Sequence, residues 1–153
     1  MIPSFKKSKL ADRGKKAEDA AHKFLAEWEV ANPRREVNRL PDTKAAGRII
    51  KAAPADFEFY SQDGFGLLEV KSTEHAYRLA RDKVPQLARM RKRAKCGGIC
   101  IVLVHHSLSK TWRCIDVEWM ASKGPVPSWV LASFPEFPTP AEALQAYDGM
   151  WKL

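Results

Sequence analysis

The chain has 153 residues, 45% hydrophobic and 29% charged, enough for one domain with a substantial core. Its 26 basic and 18 acidic residues leave a net charge of +8, a bias that favours polyanionic partners such as nucleic acid or an anionic membrane surface. No apolar run approaches the roughly 18 residues a membrane span requires, and no secretory signal pattern opens the chain; the three cysteines, Cys96, Cys100 and Cys114, fit no disulfide framework. The expectation is a reduced, cytoplasmic protein of a bacterial or phage-infected cell, with no membrane partner.

In chain order, residues 1–11 read as a basic, loosely ordered arm. From about Asp12 to Val30 the residues Ala17, Ala20, Ala21, Phe24, Leu25 and Trp28 recur at helical steps, and Asn32-Pro33 ends the helix. "EVNRL" (36–40) reads as a strand. Residues 42–55, with Lys44, Gly47, Arg48 and Lys51, are mixed and basic and carry no assignment. "DFEFYS" (56–61) and "GLLEVKS" (66–72) read as two strands joined by a turn containing Asp63-Gly64. A helix starts near Pro85 and runs to Lys95, stopped by Cys96-Gly97-Gly98. "ICIVLVHH" (99–106) and "TWRCIDV" (111–117) read as a strand and its hairpin partner. Five of the ten prolines fall from Ser122 onward, among Trp129, Phe134, Phe137, Tyr147 and Trp151. The expected organisation is one domain over 1–122 and a Pro- and aromatic-rich extension, 123–153, packing on it or on a dimer partner. The fold class is α/β, a mixed sheet flanked by helices.

Glu69 and Lys71 lie inside an otherwise apolar strand and share one face, since strand side chains alternate with period two. Burying a carboxylate and an ammonium there is costly unless they are paired or coordinate something. A two-residue turn at Asp63-Gly64 sets Asp56 opposite Lys71 and Glu58 opposite Glu69. A turn centred on Gln62-Asp63 sets Asp56 opposite Glu69. Both registers keep Asp56, Glu69 and Lys71 on one face. Two carboxylates converging beside a lysine form a hard-oxygen site for Mg²⁺, with Mn²⁺ as a substitute, and Lys71 is placed to orient a water or to stabilise charge on a phosphate. An ordinary ion pair on a solvated face is the alternative.

The surrounding segments resemble the PD-(D/E)xK nuclease superfamily, and within it the RecU-like and archaeal-type Holliday junction resolvases. The matching stretches span most of 13–118: "RGKKAED" with Glu18, "PADFEF" with Asp56, "LLEVKST" with Glu69 and Lys71, "VPQLARM" with Gln86, and "CGGICIVLV". The resemblance implies a restriction-endonuclease-like α/β fold, Mg²⁺-dependent phosphodiester hydrolysis and a homodimer cutting branched DNA at a four-way junction. It implies metal ligation by Asp56 and Glu69, with Glu18 completing the acidic site, Lys71 serving the attacking water and Gln86 a positioning group. Two features depart from the pattern. Ala55 separates Pro54 from Asp56, and the segment from Leu40 to Pro54 is shorter than the insertion RecU proteins use as a stalk.

Other residues admit two readings. Glu58 shares the face of Asp56 and is either a competing ligand or a solvated strand position. Ser72 and Thr73 are either phosphate contacts or turn-bonding residues. Glu18 and His22 are helix neighbours, and a surface contact suits them better than zinc. Cys96, Cys100, His105 and His106 fit no zinc spacing, so buried thiols account better for the cysteines.

Lys83, Arg89, Arg91, Lys92, Arg93 and Lys95 carry no acidic partner along their helix, a pattern that favours phosphate contact over a solvated face. Arg13, Lys15 and Lys16, with Lys6, Lys7 and Lys9 of the arm, extend this set. Two further functional readings stay open: a nicking, repair or restriction-type nuclease of the same superfamily, and a non-catalytic DNA-binding module.

Overall fold

The computed structural model describes residues 2–41 and 53–153, with side chains from Asp12 onward. Lys44, Gly47, Arg48 and Lys51 lie outside the described residues, as do the side chains of Lys6, Lys7 and Lys9.

Helix α1 (Ile2–Val30) buries Ala17, Ala21, Phe24, Leu25 and Trp28, the stripe its periodicity predicts. Ala20 departs from that expectation and is exposed, because it lies one turn from Lys16 and Lys23 on the solvent side. Strand β1 (Glu36–Arg39) pairs with β2 (Phe57–Ser61), which forms a hairpin with β3 (Gly64–Thr73). The hairpin closes on Ser61 opposite Gly64, so its two-residue turn is Gln62-Asp63 and Gly64 belongs to the strand. The Ser61 hydroxyl braces this turn, accepting from Asp63 N at 3.2 Å and donating to Gly64 O at 3.0 Å. Of the two registers the sequence allows, this one sets Asp56 opposite Glu69, one residue beyond the Phe57–Leu68 pair.

After β3 the chain forms β4 (Arg78–Ala80), a 3₁₀ turn (Arg81–Lys83) and α2 (Leu87–Lys95), then returns as β5 (Ile99–His106) parallel to β3. A parallel pair requires such a crossover. Helix α2 ends as "CGG" predicts: Gly98 N donates to Arg93 O at 3.1 Å and Gly97 N to Ala94 O at 3.0 Å, with Gly97 at φ +94°. Strand β6 (Thr111–Asp116) pairs antiparallel with β5, giving a five-stranded sheet of order β1-β2-β3-β5-β6. Strand β6 stops at Asp116 because that carboxylate accepts from Glu118 N at 2.7 Å and caps α3 (Val117–Ser122).

Both faces of the sheet are covered. Phe57, Phe59, Leu68, Val70, Ile101 and Leu103 pack with α1 and with α4 (Pro140–Tyr147). Leu67, Cys100, Val102, Val104 and Ile115 pack with α2 and α3. Residues 123–153 add to both layers. β7 (Ser128–Val130) pairs with β4 and sends Trp129 into the second cluster, while Leu144, Met150 and Trp151 enter the first. Trp28 Nε1 donates to Met150 O at 2.8 Å, tying the two ends of the chain together. The fold is the mixed α/β sheet flanked by helices that the element order predicts.

Candidate active site

Strand alternation and the β2–β3 register place the charges. Leu68 and Val70 point to the α1 layer, whereas Leu67, Glu69 and Lys71 share the opposite face. Asp56 stands at the start of β2, its Oδ2 accepting from Val70 N at 2.8 Å, so a β3 backbone amide fixes the carboxylate beside Glu69. Lys71 Nζ lies 3.6 Å from Glu69 Oε1. Helix α1 passes along the same end of the sheet and adds Glu18. A cleft of about 450 Å³ is lined by Glu18, Asp56, Glu69 and Lys71, with Arg13, Ser72, Thr73 and Lys83 among its other walls.

The electrostatics are those of neighbouring carboxylates withdrawn from water. Glu69 is only 2% exposed, and its Oε2 is buried with no hydrogen-bond partner. Burial, then the neighbouring Asp56 carboxylate, hold its carboxyl well above the usual range, against the opposing pull of Lys71. Glu18 is also raised, first by burial and then by Asp56, while Arg39 opposes the shift. Arg39 was not singled out by sequence reasoning. Its Nε reaches Glu18 Oε1 and its second amino group Asp19 Oδ1, both at 3.1 Å, and it lies 3.3 Å from His22 Nδ1. The Glu18–His22 pair is therefore joined through an arginine.

The remaining expected residues divide between this cleft and elsewhere. Arg13 lines the cleft but is ion-paired with Glu74. Lys83 Nζ donates to Ser72 O at 3.2 Å. The Thr73 hydroxyl accepts from His75 N at 3.2 Å, the turn-bonding alternative for that residue. Glu58 is absent from the cleft walls; Asn38 Nδ2 donates to its Oε1 at 3.1 Å. Gln86 stands at the N-cap of α2, half-buried, with Oε1 unpartnered, and the cleft walls do not include it. Lys15 and Lys16 are exposed on α1. On α2, Arg91, Lys92 and Lys95 line a separate groove of about 800 Å³ together with Arg81; Arg89 is exposed and Arg93 half-buried against Gly98.

A second buried polar group joins Arg113, which sequence reasoning did not single out, to His106, which it weighed only against zinc. His106 is fully buried and Arg113 is 4% exposed. The Arg113 guanidinium donates to His106 Nε2 at 2.9 Å and pairs with Glu136 at 2.7 Å. The continuous apolar run before His106 and the short segment around Arg113 read as plain strands, so the pattern carried no signal that the two side chains pair.

A divalent cation suits the donor set. Mg²⁺ characteristically takes one or two carboxylates and completes its shell with water and phosphate oxygens. Asp56 and Glu69 provide that pair, and the orphaned Glu69 Oε2 is a buried acceptor lacking a cation or donor. Among the described residues no three His, Cys, Asp or Glu side chains are grouped to hold a metal by themselves. Glu18, already bonded to Arg39, meets the pair from the side.

No family model matches the chain, and no curated protein matches it in sequence. Among solved structures the architecture has a counterpart in an α/β nuclease fold. The chain is similar to Hjc, a Holliday junction resolvase from the archaeal hyperthermophile Archaeoglobus fulgidus, with a TM-score of 0.50 and 17% identity over 84% of this chain and 98% of that one. At that identity the likeness is one of fold, and it agrees with the fold class expected from the sequence.

Proposed function

We propose that the chain is a divalent-metal-dependent endonuclease of the PD-(D/E)xK type, acting as a homodimer to resolve four-way DNA junctions. The observation that carries this reading is the convergence of Asp56, Glu69 and Lys71, with Glu18 alongside, in one cleft where a buried Glu69 oxygen has no partner. The net charge of +8 and the fold shared with a resolvase support it.

Asp56 and Glu69 would hold the cation. Bound there, it supplies Lewis-acid polarisation of a phosphodiester oxygen and a lowered pKa for water at the site. Lys71, about one-fifth exposed, presents its ammonium to the cleft and stabilises charge developing on the phosphate. Val70 N fixes the Asp56 carboxylate, and Arg39 fixes Glu18 beside it. Exposed Lys15, Lys16 and the α2 cations position the DNA through its phosphates.

Cleavage of a four-way junction, a flap and a linear duplex of equal length, compared in Mg²⁺ and Mn²⁺, tests the reading. Faster cleavage of the junction is expected. Equal rates on all three would leave a nuclease of the nicking, repair or restriction type. Binding without cutting under either ion would leave a DNA-binding module.

A further inference from the structure

Residues 74–77 follow β3 directly, beginning at Glu74 on the cleft wall and ending at β4. All four are exposed, yet buried groups grip their backbone from beneath. The His75 carbonyl accepts from His106 Nδ1 at 2.7 Å, the Ala76 carbonyl from Arg113 at 2.8 Å, and the Tyr77 carbonyl from Leu131 N at 2.6 Å. The Thr73 hydroxyl takes the His75 amide. Holding a buried arginine and histidine is costly, and here both are directed at the carbonyls of a surface loop. Such an anchor limits loop motion while leaving the side chains outward, as a preorganised recognition element requires.

The loop displays aromatic rings. Tyr77 is 43% exposed and packs edge-on against His75, with centroids 4.6 Å apart and planes at 90°. The Tyr77 amide donates to His75 Nδ1 at 3.3 Å, which fixes the imidazole. Arg78 follows, exposed, and Arg13 is bound to Glu74 at the loop's start. An aromatic pair flanked by arginines beside a phosphate-handling cleft is suited to stacking on an unpaired base while the cations meet the backbone.

Resting on the nuclease reading, we infer that the 74–77 loop is a base-stacking site in which Tyr77, held by His75, stacks on an unpaired nucleotide of the DNA strand entering the cleft. It therefore favours branched DNA with splayed bases over fully paired duplex. His75 is a positioning residue, because it acts through the tyrosine.

Binding measured by fluorescence anisotropy in EDTA tests this without calling on cleavage. The probes are a four-way junction with a few unpaired nucleotides at its centre and a fully paired duplex of equal length. The readout is the ratio of the two affinities, which a simple loss of charge leaves in place. In Tyr77→Ala the ratio should fall about five-fold or more, and Tyr77→Phe should keep it. His75→Ala should lower the ratio less than Tyr77→Ala. Thermal melts of these surface variants check that each is folded. A ratio unchanged in Tyr77→Ala would overturn the inference even if the protein cuts DNA in Mg²⁺. The expected ratios from a protein that never cuts would uphold the stacking site while the nuclease reading fails. No binding to either probe would overturn the stacking site, while the nuclease reading is decided by cleavage in Mg²⁺.

Discussion

Asp56 lies opposite Glu69 across the β2–β3 hairpin, and its Oδ2 is fixed by the Val70 amide at 2.8 Å. The carboxylates are thus set side by side by backbone pairing, not by flexible side chains. Lys71 is the nearby counter-charge, and it reaches only one Glu69 oxygen, at 3.6 Å. This imbalance is the observation on which the proposed cation and phosphate site rests.

Lys71→Ala removes the ammonium that the proposed function sets against the phosphate while keeping the carboxylate pair. Junction cleavage in Mg²⁺ should fall about 100-fold or more, with junction affinity changed only a few-fold, since one phosphate contact among many is lost. Single-turnover cleavage alongside anisotropy binding checks this. Cleavage surviving the change would remove Lys71 from the chemistry.

Glu69 gives the metal-free protein a pH-dependent stability. Its carboxyl is raised in the fold from the ordinary 4.5 to about 9, mainly by burial and then by Asp56. The unfolded chain releases the proton at lower pH than the folded one, so it binds fewer protons in between. Stability should therefore decline as pH rises from about 5 to about 9, and Glu69→Gln should flatten that decline. Mg²⁺ should raise the melting temperature more near pH 8 than near pH 5, because it binds the ionised carboxylate. Glu69→Gln should lose the Mg²⁺-dependent rise, and thermal melts across this range with and without Mg²⁺ check both effects.

Gly66 begins the β3–β5 pairing, opposite Ile99. A Cβ at this position would lie 1.6 Å from the Ile99 carbonyl oxygen, an impossible contact. Gly66→Ala must push apart the parallel strand pair that carries Glu69 and Lys71. A destabilisation of about 3 kcal/mol or more is expected in urea unfolding, against much less for Gly149→Ala, where no atom lies within 4 Å of the added carbon.

How legible these features were depended on how local their causes are. Alternation put Glu69 and Lys71 on one face, but the turn register needed the Ser61 hydroxyl, which no dipeptide pattern reveals. The carboxyl-terminal segment read as a proline-rich tail, although Thr139-Pro140-Ala141-Glu142 is a helix start, and Thr139 Oγ1 accepts from Glu142 N at 3.2 Å. Pro140, counted only in that composition, stands in the first turn of α4, a favoured proline position. Arg39 could not be placed at Glu18, 21 residues away, until β1 was docked beside α1. The Arg113–His106 anchor likewise depends on tertiary pairing of β5 with β6.

The basic residues of α2 are the last testable element. Arg91, Lys92 and Lys95 line a groove with Arg81, away from the carboxylate cleft, and all three are exposed. If they contact phosphates of a DNA arm leaving the cleft, each contributes by releasing a counterion, and that contribution appears in the salt dependence of binding. Replacing all three by glutamine should lower the slope of log affinity against log salt by about 0.9 per residue, close to three units in total. Affinity should fall on junction and duplex alike if the groove meets a single double-helical arm, because phosphate contacts carry no sequence information. Anisotropy titrations over a series of salt concentrations measure the slope. An unchanged slope would make the groove a solvated face and shift the proposed phosphate contacts to other exposed cations, Lys15, Lys16, Lys83 and Arg89 among them.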